Sequence, residues 1–411
     1  MAWFANSHRQ KEIEPIYVEG FRELYRFPGY VVKAARIDEA IGEVALRRDG
    51  RFKLACPHCG GRMTRSREVP QMVRDLGLGP LPLVLIRYPA IQGWCRSCER
   101  YATVRPPGIG ERQQATDRLM EFASHLCRFM PVTHVADALA VTDKAVREWD
   151  KRVLRRTIGE PNLDDLEALL IDEKSIGRNQ PYVTVVLNGV SGELLHMHQG
   201  TKPEGIESFF EKLTDKQKAS IQAVGIDRDG AYEKAVKHHL SADVVYDKFH
   251  VIANYNGVID EVRRSEWHKA KAEDKPVLKG MRYILFKRAE RRSGADEDRL
   301  NALLAVNANL LTVDMLKDDL HQLWSCKKEQ EAEAWLADWI DWALESGIAP
   351  LTRFARGLRR STRGILNYFK HRITSGPIEA FNNLISRTIH RACGIRDHQY
   401  LYLKLRQESL A

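Results

Sequence analysis

The segment Glu167–Gly200, EALLIDEKSIGRNQPYVTVVLNGVSGELLHMHQG, reads as three strands in a row. Ala168, Leu169, Leu170 and Ile171 form a short apolar run that ends on Asp172. Tyr182–Leu187 is β-branched and aromatic, which suits a pleated surface. Asn188-Gly189 and Ser191-Gly192 are turn dipeptides, and Glu193–His198 returns as the third strand. A carboxylate at the end of a buried strand loses hydration, so Asp172 requires a metal, a hydrogen-bond network or water.

The pattern continues downstream. Pro203–Leu213 reads as a helix with Ile206, Phe209, Phe210 and Leu213 inward, and Ala219–Ile226 as a fourth strand ending on Asp227. Gly230–Leu240 is helical, with Tyr232, Ala235, Val236 and His239 on one face. Asp243–Tyr246 is a fifth strand ending on Asp247, and a helix over Phe249–Arg264 follows. The order βββαβαβα is the ribonuclease-H-like topology. In it the ends of strands one and four are neighbours, so Asp172 and Asp227 converge. Two carboxylates that close repel each other unless a divalent cation lies between them.

Upstream, ACPHCGG and WCRSCER place Cys56/Cys59 and Cys95/Cys98 in two CxxC knuckles, with thirty-five residues between them. Four thiolates in two such turns are a zinc-ribbon or treble-clef signature, and the site is closed and structural. Gly60 and Gly61 suit a tight turn at the metal, and PLPLVLIRYPAI lets a β-hairpin fill the gap. Arg62, Arg65, Arg67, Arg74 and Arg87 make the module a DNA-contacting candidate. The other thiols, Cys127, Cys326 and Cys393, read as ordinary buried residues.

After a Val104–Gly108 linker, Thr116 or Asp117 caps a helix with Leu119, Phe122, Ala123, Leu126 and Phe129 on one face. Pro131 breaks it; Val132–Leu139, the turn Ala140–Thr142 and the basic helix Asp143–Arg156 complete a helix-turn-helix pattern. Lys144, Arg147 and Lys151 are expected on one exposed face of the last helix.

Residues 266–372 carry helical periodicity and almost no strand signal, so they read as an all-α insertion. Trp335, Trp339 and Trp342 follow i, i+4, i+7 and read as a core stripe. Trp267, after Arg263 and Arg264, is the candidate for stacking on a base. Ser375-Gly376-Pro377 then starts a helix with Glu379 in its first turn and Asn382 and Asn383 one turn on. Net charge is +9, and from Pro350 to Ala411 twelve Lys/Arg stand against three Asp/Glu. A basic excess so clustered is the footprint of a polyanion. Arg359, Arg360, Arg363, Arg387 and Arg391 are the candidate phosphate contacts, with a plain solvated face as the competing reading, and Asn383 is a further DNA-binding candidate.

These motifs together resemble the ISL-three family of bacterial insertion-sequence transposases, nearly end to end. The resemblance rests on the two knuckles, the helix-turn-helix, Ile171-Asp172-Glu173, VGIDRDGAY at 224–232, VVYDKFHV at 244–251, SGPIEAFNN at 375–383 and RACGIRD at 391–397. It implies a DDE triad of Asp172, Asp227 and Glu379 on a ribonuclease-H-like fold, with Asp247 and His250 as the supporting D-x-x-H motif. Asp229 competes for the second ligand position, whereas Glu173 should point away because side chains alternate along a strand. Three hard oxygen donors favour Mg²⁺ or Mn²⁺.

The expected protein is multidomain α+β: a zinc-ribbon-like module (1–107), a helix-turn-helix domain (108–160), a catalytic core (161–265 and 373–411) and the helical insertion (266–372). Its expected partners are double-stranded DNA, as terminal inverted repeats and target, and a second copy in a homodimer. No small-molecule cofactor is expected beyond the divalent ion and structural Zn²⁺. Residues 1–15 lack the pattern of a signal peptide and no apolar run reaches membrane length, so the expected location is cytoplasmic, nucleoid-associated on DNA, with no membrane partner. A domesticated DNA-binding regulator with a dead core is the alternative, and a stand-alone metal-dependent nuclease is a third. The retained triad argues against the regulator; the DNA-reading modules argue against simple degradation.

Overall fold

A computed structural model describes residues 22–38, 41–78, 81–177, 182–227 and 230–410. Residues 1–15 and Asp229 lie outside the described set. The chain divides into two compact units, 1–159 with 390–403, and 160–389 with 404–411.

In the first unit a five-stranded sheet runs in the order β1 (Tyr30–Asp38), β2 (Ile41–Arg48), β4 (Leu81–Cys95), β3 (Met63–Leu78), with β5 (Arg100–Val104) also paired to β4. The β3–β4 hairpin is long because its alternation is sustained: Val73, Val84, Ile86 and Tyr88 are buried on one face. It fills the interval between the knuckles, as the apolar run predicts. Three helices follow, α1 (Asp117–Leu126), α2 (Val132–Ala138) and α3 (Asp143–Ile158). Thr116 caps α1 by accepting from Leu119 N–H, and Thr142 caps α3 by accepting from Ala145 N–H. Leu119, Met120 and Ala123 are buried, but Phe122 and Phe129 are exposed, which corrects the predicted apolar face.

The second unit holds the sheet β10 (Asp243–Tyr246), β9 (Ala223–Ile226), β6 (Ala168–Ser175), β7 (Tyr182–Asn188), β8 (Leu194–Gln199). β6, β7 and β8 form an antiparallel meander, while β9 and β10 join β6 in parallel. α4 (Glu204–Phe210) and α5 (Asp215–Ser220) precede β9, and α6 (Gly230–His239) links β9 to β10. The predicted fourth strand is therefore shorter than expected. Thr214 and Gln217 close a capping box, which makes residues 215–220 helical instead.

From α7 (Lys248–Lys269) onward the unit is helical: α8 (Lys275–Leu278), α9 (Arg282–Phe286), α10 (Gly294–Leu304), α11 (Ala308–Gln322), α12 (Glu329–Glu345), α13 (Ala349–His371) and α14 (Gly376–Arg391). α15 (His398–Ser409) ends the chain's described elements. One apolar cluster runs from Leu169 and Val224 in the sheet through Tyr255 to Trp339 and Leu358 in the helices. Trp339 is its fully buried member of the Trp335/Trp339/Trp342 stripe. Trp342 is 60% exposed and does not belong to the core, contrary to expectation. Among the remaining thiols Cys127 is buried, Cys326 half-buried and Cys393 exposed, so the last departs from its reading.

α13 covers the β10 edge: Asn367 Nδ2 donates to Val244 O at 2.7 Å, and Gly364 lies against the Tyr246 ring. A Cβ at 364 would stand 2.3 Å from the Tyr246 ring. Gly364→Ala is expected to destabilise this unit by about 1–3 kcal/mol, read as a lowered thermal midpoint.

Candidate active site

Register builds the site. Leu170 pairs with Gly225 in the parallel β6–β9 ladder, and Tyr246 with Ile226 in β10–β9. Asp172 and Asp227 each lie two residues beyond the first pair, and Asp247 lies one residue beyond the second. Asp227 and Asp247 thus follow the ends of β9 and β10, whereas Asp172 lies within β6, which runs on to Ser175 instead of ending at the aspartate as the sequence suggests, because residues 172–175 keep pairing with β7. The cleft there is lined by Asp172, Asp227, Asp247, His250, Ser375 and Glu379, together with apolar residues of the strand ends. The sequence-predicted triad and its supporting motif therefore line a single cleft.

The local chemistry explains how each group is held. Asp247 is the N-cap of α7, accepting from Phe249 N–H at 3.2 Å. His250 falls in the first turn, where its Nδ1 lies 2.7 Å from both Asp227 Oδ1 and Asp247 Oδ2. Those two hydrogen bonds raise the His250 pKa to about 10, so the imidazole carries a proton at neutral pH. Asp247 is disfavoured as an anion by burial, but bonds from His250, Phe249 N–H and Ser375 outweigh this and lower its pKa.

Asp172 is set up differently. Its Oδ2 accepts from Asn382 Nδ2 at 2.6 Å, and its Oδ1 from Glu173 N–H at 2.7 Å. Burial nevertheless raises its pKa, and the charge of Asp227 adds to the rise. Glu379, exposed at the start of α14, accepts from Ser375 Oγ at 3.2 Å. Glu173 is absent from the cleft lining and accepts instead from the Tyr232 hydroxyl.

The tight donor group joins Asp227 to Asp247 and His250, all atoms within 4.8 Å of one another; Asp172 and Glu379 stand in the same cleft outside it. A divalent cation fits the carboxylates of this cleft rather than the protonated His250. The oxygens are hard, Asp172 is held above its ordinary carboxylate range partly by Asp227, and Asn382 Oδ1 is buried beside it without a partner. Sequence reasoning placed Asn382 on the right face but gave it no task. The signal was its position three residues, nearly one turn, after Glu379.

The cysteines also converge. Cys56 Sγ lies 3.7 Å from Cys98 Sγ, and Cys59 Sγ 3.5 Å from Cys95 Sγ. A zinc tetrahedron with bonds near 2.3 Å sets its sulfurs about 3.8 Å apart, whereas a disulfide needs about 2.05 Å. The Met63–Cys95 pair of the hairpin aligns the two knuckles. Gly61 leaves no room for a side chain, since a Cβ would meet Ser97 Oγ at 2.4 Å.

With this geometry in view, comparison with known proteins is decisive. A family model described as a transposase, of the ISL-three DDE type, matches residues 169–405. The chain belongs to the ISL-three family of insertion-sequence transposases. It is 33% identical over 359 residues to the transposase for insertion sequence element IS1001 of Bordetella parapertussis, covering 86% of this chain and 88% of the relative. It is 28% identical over 301 residues to the transposase for insertion sequence element IS1557 of Mycobacterium tuberculosis, covering 64% and 67%.

The expected DNA contacts of this transposase fare unevenly. Lys144 and Arg147 are exposed on α3. Lys151 is not: it is buried and paired with Asp397 at 2.6 Å, so it leaves the predicted exposed face. Lys144 lines a 740 Å³ groove with Arg112, Arg152, Arg155 and Arg156, cations that sequence reasoning passed over. Trp267 is half-buried against the core with Lys275 over its ring at 5.9 Å, and so offers little free ring face. Arg359 pairs with Asp341 at 2.7 Å and Arg363 with Glu329 at 3.3 Å. Arg360, Asn383 and Arg387 are exposed, and Arg391 is half-buried. Among the described residues no helix is long and apolar enough to cross a membrane.

Proposed function

We propose that this transposase cleaves DNA at the ends of its insertion sequence and joins those ends to target DNA, using Asp172, Asp227 and Glu379 to hold Mg²⁺ or Mn²⁺. The observation that carries the reading is the register of Asp172 and Asp227 on adjacent parallel strands facing one cleft with Glu379. When bound, the divalent ion activates the attacking oxygen and stabilises the leaving one in an in-line displacement.

The protein's own residues prepare that chemistry. Asn382 orients the Asp172 carboxylate through Nδ2. Protonated His250 pins Asp227 against Asp247, keeping one Asp227 oxygen directed at a fixed point until a stronger cation competes for it. The ribonuclease-H-like reading of the core, one Zn²⁺ on Cys56, Cys59, Cys95 and Cys98, and an α3 that reads the inverted repeats with Lys144 and Arg147 belong to the same proposal. So does a homodimer, because two ends must be paired.

The direct test incubates the chain with a labelled fragment carrying the element's own end, in Mg²⁺. Nicking at the end boundary followed by strand joining is expected; tight binding without cutting in either metal would return the protein to a regulatory role. Asn382→Ala refines the test. It removes a donor from Asp172 and should raise the Mg²⁺ concentration for half-maximal cleavage about 10- to 100-fold while leaving end binding unchanged.

A further inference from the structure

A second cavity of the catalytic unit lies away from the carboxylates. It is lined by Ile252 and Asn256 of α7, Tyr283 and Phe286 of α9, Lys287, Arg288 and Arg291 of the following segment, and His321 of α11. At 3.6 residues per turn, Ile252 and Asn256 point about 160° and 120° away from His250, and the two cavities share no lining residue, so this is not an extension of the metal cleft.

Its walls are fixed from behind. Lys317 Nζ, fully buried, donates to Leu285 O at 2.9 Å and Lys287 O at 3.0 Å, and Arg292 pairs with Asp314 at 2.7 Å. The segment between these anchors turns Arg288 and Arg291 outward, and neither has a carboxylate partner among the described residues. Lys287 is paired with Asp296 at 2.8 Å. Tyr283 is 72% exposed, with the Arg282 guanidinium 6.0 Å from its ring centroid. His321 Nδ1 is buried without a hydrogen-bond partner. Burial, then the charges of Arg288, Lys248 and Lys317, hold His321 down at about 4, and the opposing field of Glu290 is weaker than any of these. Its imidazole is therefore neutral, with one nitrogen to donate and one to accept.

We propose that this pocket binds one nucleotide of a DNA strand, with the base stacked on Tyr283, its edge read by His321, and the flanking phosphates on Arg288 and Arg291. An exposed aromatic ring beside unpaired guanidinium groups is the combination that takes up an unpaired base and its backbone. The pocket takes its ligand from the transposase reading, but it can fail separately from it.

The test uses the full chain and a single strand of about twelve nucleotides carrying 2-aminopurine, whose fluorescence falls on stacking. Wild type and Tyr283→Phe are expected to quench it; Tyr283→Ala is expected to lose the quenching and about 5- to 100-fold in affinity. Arg288→Ala with Arg291→Ala should lower the salt slope by about 0.7 for each phosphate no longer neutralised. Unchanged quenching in Tyr283→Ala would overturn the proposal. So would inorganic phosphate displacing the strand from wild type and Tyr283→Ala alike, which marks a plain anion site. Stacking that persists in a chain unable to cut end DNA would leave the pocket standing and remove the catalytic reading. Cutting by a wild type that shows no Tyr283-dependent stacking would do the reverse.

Discussion

Asp172→Asn is expected to abolish metal-dependent nicking, by about a thousand-fold or more, while leaving the fold intact and end binding at the native level. The rate loss follows from charge. The substitution removes one of the anions proposed to hold the cation, and a bound cation supplies several kcal/mol of transition-state stabilisation; each 1.36 kcal/mol is tenfold in rate. Stability should move the other way. Burial and the charge of Asp227 raise the folded pKa of Asp172 above its unfolded value. The ionised group therefore costs stability at neutral pH, and the neutral amide removes that cost. Hydrogen bonding need not suffer, because Asn382 Oδ1 has no partner and can accept from the new amide once the Asn382 side chain turns over. In EDTA the variant should melt at or above the native midpoint. In Mg²⁺ the native chain should gain stability by ligand linkage and the variant should gain little. A variant that melts lower in EDTA would make Asp172 a structural residue. One that still nicks would remove it from the metal site.

The parts of this site that were legible in the sequence share a cause. β9 and β10 are short buried strands that each stop just before an aspartate, and the buried part of β6 stops at Asp172 although the strand runs on to Ser175, so all three show as apolar runs closed by a charge. The D-x-x-H pair came from the family resemblance, and its physical basis is that the N-cap Asp247 and the residue three positions on meet within one helical turn. The misread residues depended on distant partners. Lys151 lies at the margin of the α3 helical stripe, and only Asp397, far along the chain, turns it inward. Trp342 and Trp339 obey the same helical period, yet only Trp339 has Leu316 O to receive its indole N–H, at 2.8 Å. Local periodicity says which residues share a face, but not how wide a face the neighbours cover. The early start assigned to the fourth strand had a local remedy, the Thr214-x-x-Gln217 capping box.

Cys95→Ser is expected to lower bound zinc from about one ion per chain to near zero and to collapse the knuckle region, with loss of end binding. The reason is the size of the core that surrounds the thiols. The cluster there holds four buried residues, Cys56, Met63, Cys95 and Ala102, two of them proposed zinc ligands. At roughly 1.5–3 kcal/mol for a fully buried large side chain, Met63 and its neighbours cannot offset the entropy of ordering the loop over residues 54–63. Structural zinc in comparable small modules supplies about 10–16 kcal/mol. Cys95 is prepared for it: hydrogen bonding, led by the Cys98 backbone N–H, brings this thiol down to about 6, so it is a thiolate at neutral pH, whereas burial pushes Cys98 up to about 12. Strong chelators should reproduce the variant in the wild type, and added Zn²⁺ should restore the wild type but not Cys95→Ser. The sheet behind the knuckles has its own core of Val44, Val84, Ile86 and Tyr88, so the loss should appear as increased amide exchange confined to residues 54–63 and 95–104. Native exchange protection in that region with zinc removed would show that packing alone holds the module. A variant that binds end DNA normally would take the zinc module out of DNA recognition and leave that task to α3.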